Sequence, residues 1–300
     1  MNKLKTSIAV LSLLAAGTVH AALNVFACEP EWGALAKELG GNEVTVYTAT
    51  TGLQDPHHIQ ARPSLIARMR QADLVVCTGA ELEIGWLPVL LSESGNERVQ
   101  PGRSGYFEAA RYVALLEKPI RVDRSEGDVH ALGNPHIQTD PRNIAKVADA
   151  LGKTLAQLDA DNAVAYQRRT QVFQTRWAQA LKAWEAKAAP LKGKPVVVQH
   201  DGFPYLENWL GLKRVAVLEP KPGVDPSAAY LGSVLTGLNA SPAKMVLRAA
   251  YQSDRPSAWL AERAGIAAVE LPFTIGGSAK ATDLFSLFDD TVDRLLGALQ

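Results

Sequence analysis

From about residue 160 to Ala189 the chain carries a helical pattern close to thirty residues long, stopped by Pro190. Tyr166, Phe173, Trp177, Leu181 and Trp184 recur at spacings of seven, four, four and three, which puts them on one helical face. At 1.5 Å per residue such a helix is roughly 45 Å long, enough to cross a whole domain or to tie two together. The aromatic face reads as core packing, not as a cofactor-binding stripe. Any fold for this chain has to be built around that rod.

The flanks indicate how. Before it, apolar runs at 23–28, 43–47 and 72–77 read as strands, and 31–39, 63–70 and a stretch from Trp86 read as helices. Gly40-Gly41 closes the first helix, and Ser64 lies in the first turn or at the cap of the second. A further helix starts with Pro141 at its first position and runs to about Leu158. After the rod, strands are expected at 194–199, 214–218, 244–247 and 267–271, with helices at 203–210, 227–238 and 258–264, and a last helix from 281 or 282 to 299. Strand–helix alternation of this kind predicts parallel sheets with both faces covered. The expected fold is therefore α/β: two doubly wound lobes, residues 22–158 and 190–300, joined by a long rigid helix at 159–189.

Residues 1–21 read as a secretory signal. Lys3 and Lys5 form the positive end, residues 8–17 are a short apolar run, and Val19-His20-Ala21 is a small-residue cleavage site. The apolar run is too short to span a bilayer of about 30 Å. Cleavage after Ala21 removes two lysines and no acid, leaving 29 basic and 31 acidic residues, a net charge of −2. A chain so balanced carries no nucleic-acid footprint. The expectation is a soluble periplasmic protein with no membrane insertion after cleavage. Cys28 and Cys77 end two apolar runs. An oxidising compartment permits a bridge between them, but a bridge between adjacent strands is geometrically demanding. The reading favours two buried free thiols.

Three histidines share one context. His57 follows Asp55-Pro56, His136 follows Gly133-Asn134-Pro135, and His200 ends the apolar run 196–198 before Asp201-Gly202. Each sits in a Pro/Gly loop or at a strand end. In open α/β sheets ligands bind outside the carboxyl ends of strands, which is where His200 lies. Three neutral imidazoles converging there would make a Zn²⁺ site. Asp55 and Asp201 are placed to accept the second ring N–H of a neighbouring histidine. His58 is the weaker choice beside His57, because one rigid loop cannot aim both rings at one ion. His130, in the acidic segment 123–130, reads as part of a solvated loop.

At these residues the sequence resembles the substrate-binding proteins of zinc and manganese ABC importers, the ZnuA-like or TroA-like (cluster A-I) family. The matching stretches are Asp55-Pro56-His57 with Arg62-Pro63-Ser64, and Ala72-Asp73-Leu74-Val75 with Gly79 and Glu81-Leu82-Glu83 before Trp86. Gly133-Asn134-Pro135-His136 before Asp140-Pro141, and the run 197–206 from Val197 through His200 to Leu206, continue it over nearly all of the mature chain. The resemblance implies two lobes on one rigid helix, with metal held between them by His57, His136 and His200. It implies a monomer that captures Zn²⁺ and delivers it to an inner-membrane ABC permease, and no enzyme. Relatives selective for manganese tend to carry a carboxylate at the third position, and histidine there suits zinc better.

The sequence departs from the family in two places. Many relatives supply an aspartate as fourth ligand after the last strand. Here the region reads Val269-Glu270-Leu271-Pro272-Phe273-Thr274, leaving Glu270, an acid from another loop, or water. The long His/Asp-rich loop of some zinc relatives is also missing. Two other functions compete: the same role for Mn²⁺ or Fe²⁺, and a secreted zinc hydrolase with one open coordination position. Against the hydrolase, there is no His-Glu-x-x-His run, and Glu270 and Asp201 are the only general bases to name.

Overall fold

The computed structural model describes residues 22–119 and 127–300. The signal segment and residues 123–126 of the acidic stretch 123–130 lie outside them. The first sheet holds β1 (Leu23–Ala27), β2 (Val44–Thr48), β3 (Leu74–Cys77) and β4 (Tyr106–Glu108), in the order β2-β1-β3-β4. The second holds β5 (Pro195–Val198), β6 (Lys213–Val217), β7 (Met245–Ala249) and β8 (Ala267–Leu271), in the order β6-β5-β7-β8. Every strand pair is parallel. The two sheets thus repeat one topology, and each has its switch point beside its first strand. The sequence reading missed β4, whose three residues give no periodicity to find.

Strand side chains alternate between two buried faces, as parallel sheets covered on both sides require. In the first sheet Val25, Ala27, Leu74 and Val76 face one core, while Phe26, Cys28, Val75 and Cys77 face α2 (Pro63–Gln71) and α3 (Leu87–Ser94). In the second sheet Val196, Val198, Met245 and Leu247 face the first core, while Val197 and Val246 face a third cluster with Leu231 and Leu260. The first core is therefore continuous from one sheet to the other.

The long helix makes it so. It is α5 (Ala163–Ala188), 26 residues or about 39 Å, preceded and followed by short 3₁₀ turns. It packs on α1 (Pro30–Gly40) and α4 (Pro141–Leu158) from the first lobe and on α9 (Leu284–Gly297) from the end of the chain. Its aromatic face is buried core. Phe173 and Trp177 meet Phe285 edge-on, Trp184 packs at a tilt against Phe288, and the Trp184 indole N–H donates to Asp289 Oδ1 at 2.7 Å. The helix is clamped along its length, which makes it a rigid tie. Among the described residues no helix is long and apolar enough to cross a membrane.

One expectation is overturned. Cys28 and Cys77 are joined by a disulfide and are not free thiols. The register pairs Ala27 with Val76, so the next residue on each strand faces its counterpart with Cα atoms 4.8 Å apart. That spacing lies within the range a disulfide accepts.

Candidate metal centre

The three histidines meet between the carboxyl ends of the two sheets. His57 lies in the loop after β2, His136 in the turn before α4, and His200 two residues past β5. Their candidate ligand atoms all lie within 4.8 Å of one another. Ring centroids are 5.2 Å apart for His57 and His136, 5.7 Å for His57 and His200, and 5.4 Å for His136 and His200. All three side chains are buried, His136 almost wholly.

Each ring is held by a local device. The Asp55 carboxylate accepts the His57 backbone N–H at 3.0 Å and pairs with Nδ1 at 2.7 Å. The Trp86 indole N–H donates to the Pro56 carbonyl and pins that loop. Asn134 Oδ1 accepts the His136 backbone N–H, and Thr139 Oγ1 donates to the His136 carbonyl. His200 Nδ1 meets Glu219 Oε2 at 2.6 Å, and that oxygen also accepts the Gly223 N–H. With both Nδ1 atoms on carboxylates, the Nε2 atoms of His57 and His200 turn inward. His200 Nε2 lies 3.4 Å from His136 Nε2, and His57 Nε2 has no hydrogen-bond partner among the described residues.

The protonation pattern follows from these surroundings. Burial, then the charges of His57, His200 and His130, hold His136 well below the usual imidazole range. Burial also works against charge on His200, but the hydrogen bond and charge of Glu219, with Asp55 and Asp201 beyond, raise it on balance. Asp55 is only partly buried, and although that works against its charge, its bond to His57 holds it below the usual carboxylate range.

Several neighbouring expectations change. Asp201 does not orient His200; it pairs with Arg214, which also reaches Glu117. The orienting acid is Glu219, just after β6, an acid at a strand's carboxyl end that the sequence rule applied to His200 equally picks out. Glu270 pairs with Arg248 on the neighbouring strand β7 and lies outside the histidine group. After β8 the chain presents Phe273, whose ring packs edge-on against His136 at 5.3 Å. His58 is mostly exposed, 3.6 Å from Asp128. His130 is not a solvated residue: its ring is partly buried, 5.4 Å from His57, and burial with the charges of His57 and His200 lowers it to about 4.

The lobes touch around the site. Asn134 Nδ2 donates to the Asp201 carbonyl at 2.8 Å, and the Tyr205 hydroxyl donates to the Asn134 carbonyl. The loop at Gly52 runs so close to the loop after β8 that a Cβ at Gly52 would fall 2.3 Å from the Gly277 nitrogen. A cavity of about 100 Å³ remains beside His136 and His200, walled by Glu117, Asp128, His130 and Asn134.

Known proteins share this architecture. A crystal structure of ZnuA superposes with a TM-score of 0.77 at 21% identity, covering 93% of this chain and 100% of that one. The high-affinity zinc uptake system protein ZnuA of Bacillus subtilis (strain 168) is 24% identical over 231 residues, 75% of this chain and 70% of its own length. The protein of the same name from Yersinia pestis is 27% identical over 200 residues, 61% of each chain. Residues 25–298 match the family described as zinc-uptake complex component A, periplasmic (ZnuA), and the chain belongs to that family.

Proposed function

We propose that this chain captures Zn²⁺ in the periplasm, between lobes 22–158 and 190–300, and delivers it to an inner-membrane ABC permease. His57, His136 and His200 are the ligands, each through Nε2. The family is one of substrate-binding transport components, and the chain is not an enzyme.

The observation that carries the zinc reading is the 3.4 Å between the Nε2 atoms of His136 and His200. Two nitrogens bound about 2.0–2.1 Å from one tetrahedral Zn²⁺ lie about 3.3–3.4 Å apart. Two imidazole lone pairs held at that distance in a buried site repel each other unless a cation or proton lies between them. The donor set is all imidazole, which suits zinc better than Mn²⁺. Asp55 and Glu219, on the Nδ1 atoms, fix the tautomers and raise ligand basicity. A hydrolase would need a free general base. Glu270 and Asp201, the two candidates, are each committed to an arginine.

Titration calorimetry of chelator-stripped mature protein with Zn²⁺, near pH 7.5 where free imidazole is neutral, tests this. One-to-one tight binding, lost in His200→Ala, is expected. No tight binding in the wild type would overturn the reading, and displacement of Zn²⁺ by equimolar Mn²⁺ would reassign the cargo.

A further inference from the structure

We propose that His130 closes the coordination sphere as the fourth ligand, reaching the metal by side-chain rotation from the loop over the cleft. This rests on the three-histidine reading above. The His130 ring lies 5.4 Å from His57, but its nitrogens stand outside the 4.8 Å group formed by the other three histidines, so rotation is what would bring it in. It lines both the cavity beside His136 and His200 and the crevice beside His57 and His58.

An unusual turn holds it there. Gly79, Ala80 and Glu81, just past β3, all have positive φ, at 76°, 50° and 68°. Two consecutive non-glycine residues in the left-handed region are uncommon and persist where surrounding structure demands them. The turn brings Glu81 to the histidine loop. The Glu81 carboxylate accepts the Ala131 N–H at 2.6 Å, which ties the residue next to His130 to that turn.

The rival ligands are committed elsewhere. Asp55 and Glu219 serve the ligand histidines. Asp201 and Glu117 share Arg214, and Glu270 holds Arg248. The side of the site facing β8, where the family resemblance implies an aspartate, is walled by Phe273. Asp128 is the remaining acid in the cavity, and its carboxylate faces His58. A fourth ligand on a loop, and on neither sheet, can be released without parting the lobes.

Histidine side-chain ¹⁵N spectra of the protein loaded with one equivalent of Zn²⁺ count the bound imidazoles directly. Wild type should show four zinc-shifted rings and His130→Ala three, with zinc affinity in chelator competition weaker by about tenfold or more. His58→Ala should keep four rings and the wild-type affinity. Three bound rings in the wild type, with unchanged affinity in His130→Ala, would overturn the proposal and leave water or Asp128 as fourth ligand. Fewer than three would overturn the three-histidine reading itself. The wild-type count does not depend on how any variant folds.

Discussion

Two groups of acids lie in this molecule, and they differ in what faces each carboxylate. Around the cleft each acid faces a base: Asp55 meets His57, Glu219 meets His200, Asp201 and Glu117 meet Arg214, and Glu270 meets Arg248. At the start of α1, beside the disulfide, Glu29, Glu31 and Glu83 are at most 3% exposed, and among the described residues no ion pair holds them. Glu83 accepts the Thr78 and Gly79 N–H groups, Glu29 accepts the Thr78 hydroxyl, and Glu31 accepts the Thr274 hydroxyl from the other lobe. Burial raises Glu31 and Glu83 to about 7, and burial with the charges of Glu83 and Glu31 raises Glu29 well above the carboxylate range. Asp55, partly buried and bonded to His57, goes down. The partner, more than the burial, decides whether a buried carboxyl is a charge that orients an imidazole or a proton-holding bond between lobes.

The comparison breaks first at the cleft. Asp55→Asn and Glu219→Gln keep the shape and remove the charge, so each should weaken zinc binding about 10–100-fold. Each carboxylate oxygen also accepts a main-chain N–H, from His57 and from Gly223, so the two losses should be similar. Chelator competition measures this. Unchanged affinity in both would mean that the carboxylates do not tune the ligands.

The second group responds to pH. Glu31 and Glu83 rise from 4.5 to about 7 on folding, so over that interval the folded state keeps protons the unfolded chain releases. Stability is then fully present below 4.5 and is lost as pH climbs through 7. Glu83→Gln removes one such group while its amide oxygen still accepts the Thr78 N–H. Metal-free Glu83→Gln should melt several degrees above wild type at about pH 8, at roughly 2–4 °C per kcal/mol, and close to it at about pH 5. Equal melting curves at both pH values would return these carboxyls to ordinary behaviour.

Much of this was legible in the sequence where the signal is local. The long helix announced itself by aromatic spacing, the parallel sheets by strand–helix alternation, and His200 by its place at a strand end. The preference for His57 over His58 came from loop stiffness alone; in the fold His57 is buried and His58 is exposed. What stayed hidden depends on which strands become neighbours. The Cys28–Cys77 bridge follows from the pairing of Ala27 with Val76. Glu219 reaches His200 because β6 lies beside β5. Nothing in the run from Gly79 to Glu81 marks two residues with left-handed backbone, or shows that Glu81 will grip the loop of His130.

The smallest expected effect sharpens the comparison most. Glu270 was the sequence's own candidate for a fourth ligand, and it sits on the strand that leads to Phe273. Its carboxylate pairs with Arg248, whose other nitrogen donates to the Gln252 carbonyl at 3.2 Å. Glu270→Ala therefore leaves Arg248 hydrogen-bonded, and the pair is exposed enough on the acid side, 37%, for its loss to cost within about 1 kcal/mol. Zinc affinity should not change, and the melting temperature should fall by a few degrees at most. A tenfold loss of affinity would mean that Glu270 leaves Arg248 for the metal when zinc binds. Pairing with a cation would then be a way of storing a ligand, and Asp201 and Glu117, held by Arg214 at the cavity wall, would become the next acids to test in the same way.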